Sequence, residues 1–272
     1  MPDIVIHGIA CAAYLVLAWH FWNTRWRRGS AATALSGWER AAIVLPFVLH
    51  AALLYSDLFA ASGPRFGFAQ ALSVMMGLAV LVCWLEALAY SIEAVFPLVL
   101  AAAAICAPLP AFFPGRALAD AVSIEFRLHL IFGMLAYSLF TVATLHAVLI
   151  SKVEHRLHGK PGLDGPFTRM PPLLSLERLV FILIGAAFAV LSVTLVLGIA
   201  YSEAFLGRAL RFEHKTVFVI LSWAIFGLLL AGRWLYGWRG RTALRWTVTG
   251  FVMLMLAYPG SRFVIEVLLH RA

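Results

Sequence analysis

Charged residues are scarce in this sequence. Lys, Arg, Asp and Glu make up 12% of its 272 residues, against about 25% in a typical soluble domain. Hydrophobic residues make up 63%, and the mean hydropathy is +0.92. So little charge cannot cover the surface of a soluble globular protein, and we predict an integral membrane protein.

Cysteine is also rare. The three cysteines, Cys11, Cys83 and Cys106, lie far apart, each inside an apolar segment. This spacing excludes a paired disulfide framework and a Cys-x-x-Cys redox or heme-attachment motif. We expect three small buried side chains.

Motifs for hydrolysis and phosphoryl transfer are missing. The sequence contains no Gly-x-Gly-x-x-Gly loop, no His-Glu-x-x-His pair and no serine-centred elbow. No loop is long enough to form a soluble catalytic domain. We therefore expect a protein that is not an enzyme.

Long apolar segments are what the sequence does contain. Crossing about 30 Å of hydrocarbon takes about 20 helical residues, and eight segments approach or exceed that length. They are 4–22, 41–59, 68–87, 92–112, 128–150, 176–200, 217–236 and 246–269. We predict an all-α, polytopic helical bundle that forms a single transmembrane domain over residues 1–272, with only residues 88–91 dividing the third and fourth segments.

Lys and Arg collect in alternate loops. Thirteen of the 21 lie in 25–40, 152–178 and 233–245, and the positive-inside rule places these segments in the cytoplasm. Both termini are then predicted to lie outside, in a bacterial inner membrane. The net charge of +8 thus reports topology rather than a nucleic-acid partner. The segment 151–175, rich in Gly and Pro, is predicted to be a cytoplasmic loop.

Three histidines fall at the outer ends of predicted spans. His129 opens the fifth, His214 opens the seventh, and His270 follows the eighth. Neutral imidazole is a strong iron ligand, so these histidines are candidate ligands of a metal-porphyrin. The alternative is three unrelated histidines at the membrane boundary.

Basic side chains accompany these histidines. Arg262, Arg211 and Lys215 are candidates for charge-assisted hydrogen bonds to the propionates of a porphyrin. Arg262 also lies one helical turn from Glu266. The two side chains are equally compatible with a pair that neutralises itself.

Two further histidines lie deeper. His50 is near the middle of the second span, where either a buried hydrogen-bonded residue or a transient cofactor ligand is expected. His146 is near the inner end of the fifth span and is expected to meet a carbonyl or the interface. A permanent bis-histidine electron carrier built on these two is the least favoured function, because they differ in depth.

Three stretches carry a family resemblance. HLIFGMLAYSLFTVATLHAVLI (129–150), MPPLLSLERLVF (170–181) and above all the segment from Phe212 to Leu269 resemble the cytochrome c assembly protein family. The likeness covers 41–272 and is strongest to the YpjD-like and HemX-like branch. It implies an inner-membrane protein that handles heme, similar to CcsA and CcmC, with heme as its cofactor.

The resemblance also implies ligands and partners. In such proteins two outer histidines flank a tryptophan-rich segment; here they match His129 and His270. Apocytochrome c or other cytochrome-assembly membrane proteins are the implied partners, besides membrane lipid. The sequence departs from the family where a Trp-Trp-Asp motif is expected, because 201–215 reads YSEAFLGRALRFEHK and places His214 there.

That departure keeps a second function open. Without the tryptophan-rich motif, the protein is also compatible with a membrane assembly or regulatory factor that binds no heme. Such a factor would support another membrane protein, for example a cation transporter, and His214 and Arg262 would only brace helices.

Overall fold

Apolar helices dominate the fold. The structure is a computed structural model and describes residues 2–27, 34–58, 65–117, 124–159, 173–206 and 214–269. Its α-helices are α1 (Pro2–Phe21), α2 (Gly37–Leu58), α3 (Phe68–Glu86), α4 (Phe96–Cys106), α5 (Leu109–Phe112), α6 (Ile124–Gly159), α7 (Leu173–Leu206), α8 (His214–Tyr236), α9 (Gly240–Met255) and α10 (Ser261–Phe263).

Shorter elements complete or join these helices. A π-helical segment, Trp22–Arg27, prolongs α1, and a 3-10 turn, Glu93–Val95, leads into α4. Two π-helical turns, Leu256–Gly260 and Val264–Leu268, flank α10. Pro259 lies in the first of them, and a proline inside a helix removes a backbone donor and favours such a distortion.

Eight helical segments in the described part of the chain are long and apolar enough to cross a membrane. This confirms the predicted helical class and span count. The third and fourth spans are separate, because α3 ends at Glu86 and a turn precedes the 3-10 turn that begins at Glu93. We call the end of the bundle that contains the start of α6 the outer end and the opposite end the inner end. The orientation of these ends in the membrane stays a prediction.

The core forms around α6. This helix packs along α7, α3 and α9, while α1 packs on α4 and α8 on α9. Small side chains line its buried face, among them Ala136, Ala143 and Ala147, and small residues allow helix backbones to approach closely in a membrane.

Helix lengths differ from the prediction at two connections. The segment expected to be a loop from 151 begins as helix, because α6 continues to Gly159, and α7 extends to Leu206 rather than ending near residue 200. Polar and charged residues in these stretches ended the apolar runs in the sequence. An α-helix satisfies its own backbone hydrogen bonds, so it can continue past the apolar stretch.

A two-stranded sheet at the outer end was not predicted. The strands β1 (Arg65–Phe66) and β2 (Arg116–Ala117) are antiparallel, with Phe66 opposite Arg116. Gly115 precedes β2 with φ +66°, a conformation that favours glycine. Two-residue strands leave too little alternation in a sequence to be recognised.

The inner end is held by a buried ionic cluster. Ser36 and Glu39 form a capping box at the start of α2, with Ser36 N donating to Glu39 Oε2 at 2.8 Å. The same carboxylate accepts from Arg25 Nη2 at 3.0 Å, and His20 Nε2 lies 3.0 Å from its other oxygen. These contacts join the inner end of α1 to α2.

Candidate functional site at the outer end

His129 lies in the second turn of α6 and is half-buried. Its Nδ1 is 3.0 Å from the backbone carbonyl oxygen of Thr194 on α7. A carbonyl only accepts hydrogen bonds, so Nδ1 carries the proton and Nε2 keeps its lone pair. An imidazole fixed through Nδ1 in this way is prepared to bind a metal through Nε2.

Gly198 makes room for the ring of His129. A Cβ placed on Gly198 would lie 3.1 Å from His129 Cε1 and 3.3 Å from His129 Nδ1. Both distances are shorter than ordinary van der Waals contact. The imidazole therefore packs directly on the backbone of α7, one turn beyond the carbonyl to which it donates.

His214 lies at a depth similar to that of His129. Phe140 of α6 and Phe226 of α8 stack with ring centroids 3.8 Å apart, and both helices run from the outer to the inner end. His129 precedes Phe140 by 11 residues and His214 precedes Phe226 by 12, so each lies about 17 Å further out. The His214 side chain is exposed.

Arg262 reaches the same level from the C-terminal helical segment. Tyr137 Oη of α6 donates to the Leu254 carbonyl at 2.7 Å. Arg262 lies eight residues outward from Leu254 and His129 eight residues outward from Tyr137. The α-helical rise gives about 12 Å for His129, and the π-helical turn Leu256–Gly260 shortens the rise to Arg262. Three of the predicted site residues, His129, His214 and Arg262, therefore lie at similar depths at the outer end.

The Arg262 guanidinium is only loosely neutralised. Its Nη1 lies 4.0 Å from Glu266 Oε1, and its Cζ lies 5.7 Å from the centre of the Tyr258 ring. Within the described part of the chain its Nε has no hydrogen-bond partner. The self-neutralising pair thus exists, but 4.0 Å is too long for a hydrogen bond.

Glu266 contacts the start of α3, next to the two-stranded sheet. Phe68 N donates to Glu266 Oε2 at 3.3 Å. A Cβ on Gly67 would lie 2.7 Å from that oxygen and 3.0 Å from Gly115 Cα, so a side chain at position 67 would displace the carboxylate. This contact joins the C-terminal segment to α3, and the two glycines are its only signal in the sequence.

The other predicted site residues are less defined. Lys215 is half-buried beside His214 and has a contact of its own. His270 and Arg211 lie outside the described residues. That His270 pairs with His129 stays a prediction.

The deeper histidine His50 already has hydrogen-bond partners. His50 is 1% exposed, with Nε2 2.7 Å from Ser73 Oγ and Nδ1 3.3 Å from Tyr14 Oη. Because both ring nitrogens have hydrogen-bond partners, the structural role expected for His50 is favoured over a ligand role.

His146 meets a carboxylate rather than the carbonyl or interface that was expected. Its Nε2 lies 3.0 Å from Glu86 Oε2 on α3, with both side chains buried. The two residues are 60 apart in the sequence, and only helix packing brings them together. This contact removes further support from an electron carrier ligated by His50 and His146.

Among the described residues, no three or more His, Cys, Asp or Glu side chains converge as a metal site requires. A porphyrin supplies four nitrogens of its own, and a protein adds one or two axial ligands. The donor set at the outer end, one oriented imidazole with a second imidazole and a guanidinium at similar depth, fits that need.

The fold defines a multi-pass membrane protein whose oriented outer histidine lies level with a second histidine and an arginine. The profile of the family described as "Cytochrome C assembly protein" matches residues 38–269. This chain belongs to the cytochrome c assembly protein family.

Individual relatives agree with this membership. The inner membrane protein YpjD of Escherichia coli K12 is 28% identical over 239 residues, 85% of this chain and 89% of YpjD. An uncharacterized 28.8 kDa protein of Azospirillum brasilense is 36% identical over 150 residues, 55% of each chain. The cytochrome c biogenesis protein CcsA of Gloeobacter violaceus is 28% identical over 92 residues, 34% of this chain and 27% of CcsA.

No solved structure matches the chain. The likeness to YpjD, together with the eight apolar helices, identifies a multi-pass inner-membrane protein. It also supports the predicted YpjD-like branch. Of the Azospirillum protein and CcsA, the chain matches about half and about a quarter of their lengths.

Proposed function

We propose that this protein holds heme at its outer end and thereby assists the maturation of cytochrome c or the assembly of another heme protein. The observation that carries the proposal is the His129–Thr194 hydrogen bond, which fixes the imidazole and leaves Nε2 for iron. Family membership supports the choice of heme as the ligand. The role is binding and positioning, not catalysis.

Each site residue has a defined task in this proposal. His129 Nε2 is the first axial ligand, and His214 or His270 is the second. Heme brings an iron with two axial positions and two negatively charged propionates. Arg262 and Lys215, with Arg211, neutralise those carboxylates through charge-assisted hydrogen bonds.

Apocytochrome c is the proposed recipient. CcsA is named as a cytochrome c biogenesis protein, and heme at the outer end would be accessible to a partner there. A site of exposed and half-buried ligands suits release better than a buried pair, because solvent and a partner can reach the iron.

The test is a hemin titration of the detergent-purified protein, followed by absorption. We expect the Soret band to shift on binding, and the affinity to fall at least about tenfold in His129→Ala/His214→Ala, because one lost axial ligand costs more than about 1.4 kcal/mol. His155→Ala, an exposed histidine at the inner end, is the matched control. An unshifted Soret band, or one unchanged in the double variant, contradicts the proposal.

The second candidate is a membrane assembly factor that binds no heme and supports another membrane protein, such as a cation transporter. The Glu266 contacts favour it, because they brace Arg262 and the C-terminal segment against α3 without any ligand. A deletion strain with normal cytochrome c levels, combined with a stable partner that copurifies from heme-depleted cells, would select this function instead.

A further inference from the structure

A basic surface lies at the inner end, away from the candidate heme site. Lys152 and His155 are three residues apart on α6, and Arg241 and Arg245 are four apart on α9. All four side chains are exposed. Residues at these spacings share a helix face, and Arg241 Nη2 lies 3.5 Å from His155 Nδ1. The four residues therefore form one continuous surface, which we call the α6–α9 basic face.

Two carboxylates lie beside this face without forming an ion pair with its lysine or arginines. Glu177 accepts a hydrogen bond from Gly240 N at 3.0 Å, and Glu154 lies close to Gly240. Both line the groove between α6, α7 and α9. In the part of the chain that the structure describes, no carboxylate forms an ion pair with Lys152, Arg241 or Arg245.

Aromatic residues place the basic face at a membrane surface. Trp234 is 84% and Tyr236 76% exposed at the end of α8, and Trp238 stacks on Trp246 with ring centroids 5.4 Å apart. Exposed Trp and Tyr collect at the level of lipid headgroups. The guanidinium groups of α9 therefore lie where lipid phosphates lie.

Apolar surface continues from the basic face toward the membrane centre. Val252, seven residues after Arg245 on the same helical face, is 45% exposed. The arrangement is a row of cations at headgroup level above an apolar strip, and it matches the two halves of a phospholipid.

We propose that the α6–α9 basic face binds the phosphate of an anionic phospholipid of the phosphatidylglycerol class. Arg241 and Arg245 donate to the phosphate oxygens, since a guanidinium binds phosphate bidentately. Lys152 completes the cation cluster from α6, His155 lies beside it with Nδ1 3.5 Å from Arg241 Nη2, and the acyl chains lie along α9 past Val252. The site does not depend on whether the outer end binds heme.

The test measures lipid affinity by native mass spectrometry of the full-length protein, delipidated in a neutral detergent. Dioleoylphosphatidylglycerol and dioleoylphosphatidylcholine are titrated separately. We expect dioleoylphosphatidylglycerol to bind more tightly than dioleoylphosphatidylcholine. Arg241→Gln/Arg245→Gln should lose about 25-fold in affinity for it, about fivefold for each cation near the surface. Arg27→Gln, an exposed arginine at the inner end of the first span, is the matched control and should bind as the wild type does.

A second double variant distinguishes a loss of lipid binding from misfolding of the first. Lys152→Gln/His155→Gln changes the same face from the other helix and should weaken binding in the same direction. The proposal is overturned if the wild type shows no preference for the anionic lipid, or if both double variants bind it as tightly as Arg27→Gln. Displacement of the lipid by inorganic phosphate at an equal concentration would show a bare phosphate site and would also overturn it.

Discussion

One hydrogen bond and the glycine at position 198 orient His129. The Thr194 carbonyl determines which ring nitrogen carries the proton, and Gly198 determines how closely the ring approaches α7. The position of His129 at the outer end was predicted from charge and hydropathy. Its partners were not, because they lie 65 and 69 residues further along the chain.

Gly198→Ala should weaken heme binding without unfolding the protein. The new methyl group would lie 3.1 Å from His129 Cε1, so the ring must shift away from the Thr194 carbonyl. We expect a lower affinity for hemin or an altered Soret position in the same titration. Gly185→Ala on the same helix, where nothing lies within 4 Å of the added methyl group, should behave as the wild type.

The buried pair of His146 and Glu86 gives a prediction about stability. His146→Leu leaves the Glu86 carboxylate buried without its partner, and breaking a buried pair costs about 3 kcal/mol. We expect a lower midpoint of thermal unfolding in detergent. The double variant His146→Leu/Glu86→Met should recover most of the loss, because it removes both polar groups. An equally unstable double variant would show that the pair itself is not the cause.

At the scale of the helices, α8 and α9 are in close contact at Gly250. A Cβ there would lie 2.9 Å from the Phe226 ring, and Ser222 Oγ donates to the Gly250 carbonyl at 2.8 Å. Phe226 in turn stacks on Phe140 of α6. The same contact therefore sets the spacing of α8 and α9 and the depth of His214 relative to His129.

Gly250→Leu should separate α8 from α9. Overpacking of a close contact costs about 1–3 kcal/mol, so the thermal midpoint should fall, and heme binding should weaken as His214 moves with α8. Gly185→Leu adds the same side chain to a position with open space and should leave both quantities near those of the wild type. Equal effects at the two positions would contradict the role of Gly250.

Hydropathy predicted elements better than it predicted connections. Each span is a long apolar run, and the bilayer forces such a run to be a helix. The two-stranded sheet at the outer end and the helical continuation of α6 to Gly159 were missed, because both depend on packing rather than on apolar length. The Glu266 contact with Phe68 was missed for the same reason, since it joins residues 198 apart.

Across the whole molecule, the two ends of the bundle carry different chemistry. The outer end presents an imidazole oriented through Nδ1, a second histidine and an arginine 4.0 Å from its carboxylate partner. The inner end presents the α6–α9 basic face and the Glu39 cluster. Family membership indicates the class of function. Packing around α6 supports the choice of outer residues that we assign to the proposed heme site.

Heme at the outer end is the central claim, and a distance measurement tests it most directly. In a background without the three native cysteines, a nitroxide label is placed at Phe263, near Arg262, or at Tyr236, at the inner end; both residues are exposed. With one equivalent of hemin, we predict faster electron spin relaxation of the label at 263 and little change at 236, with the effect at 263 lost in His129→Ala. Faster relaxation at 236 alone, or no effect at either position, would contradict the account.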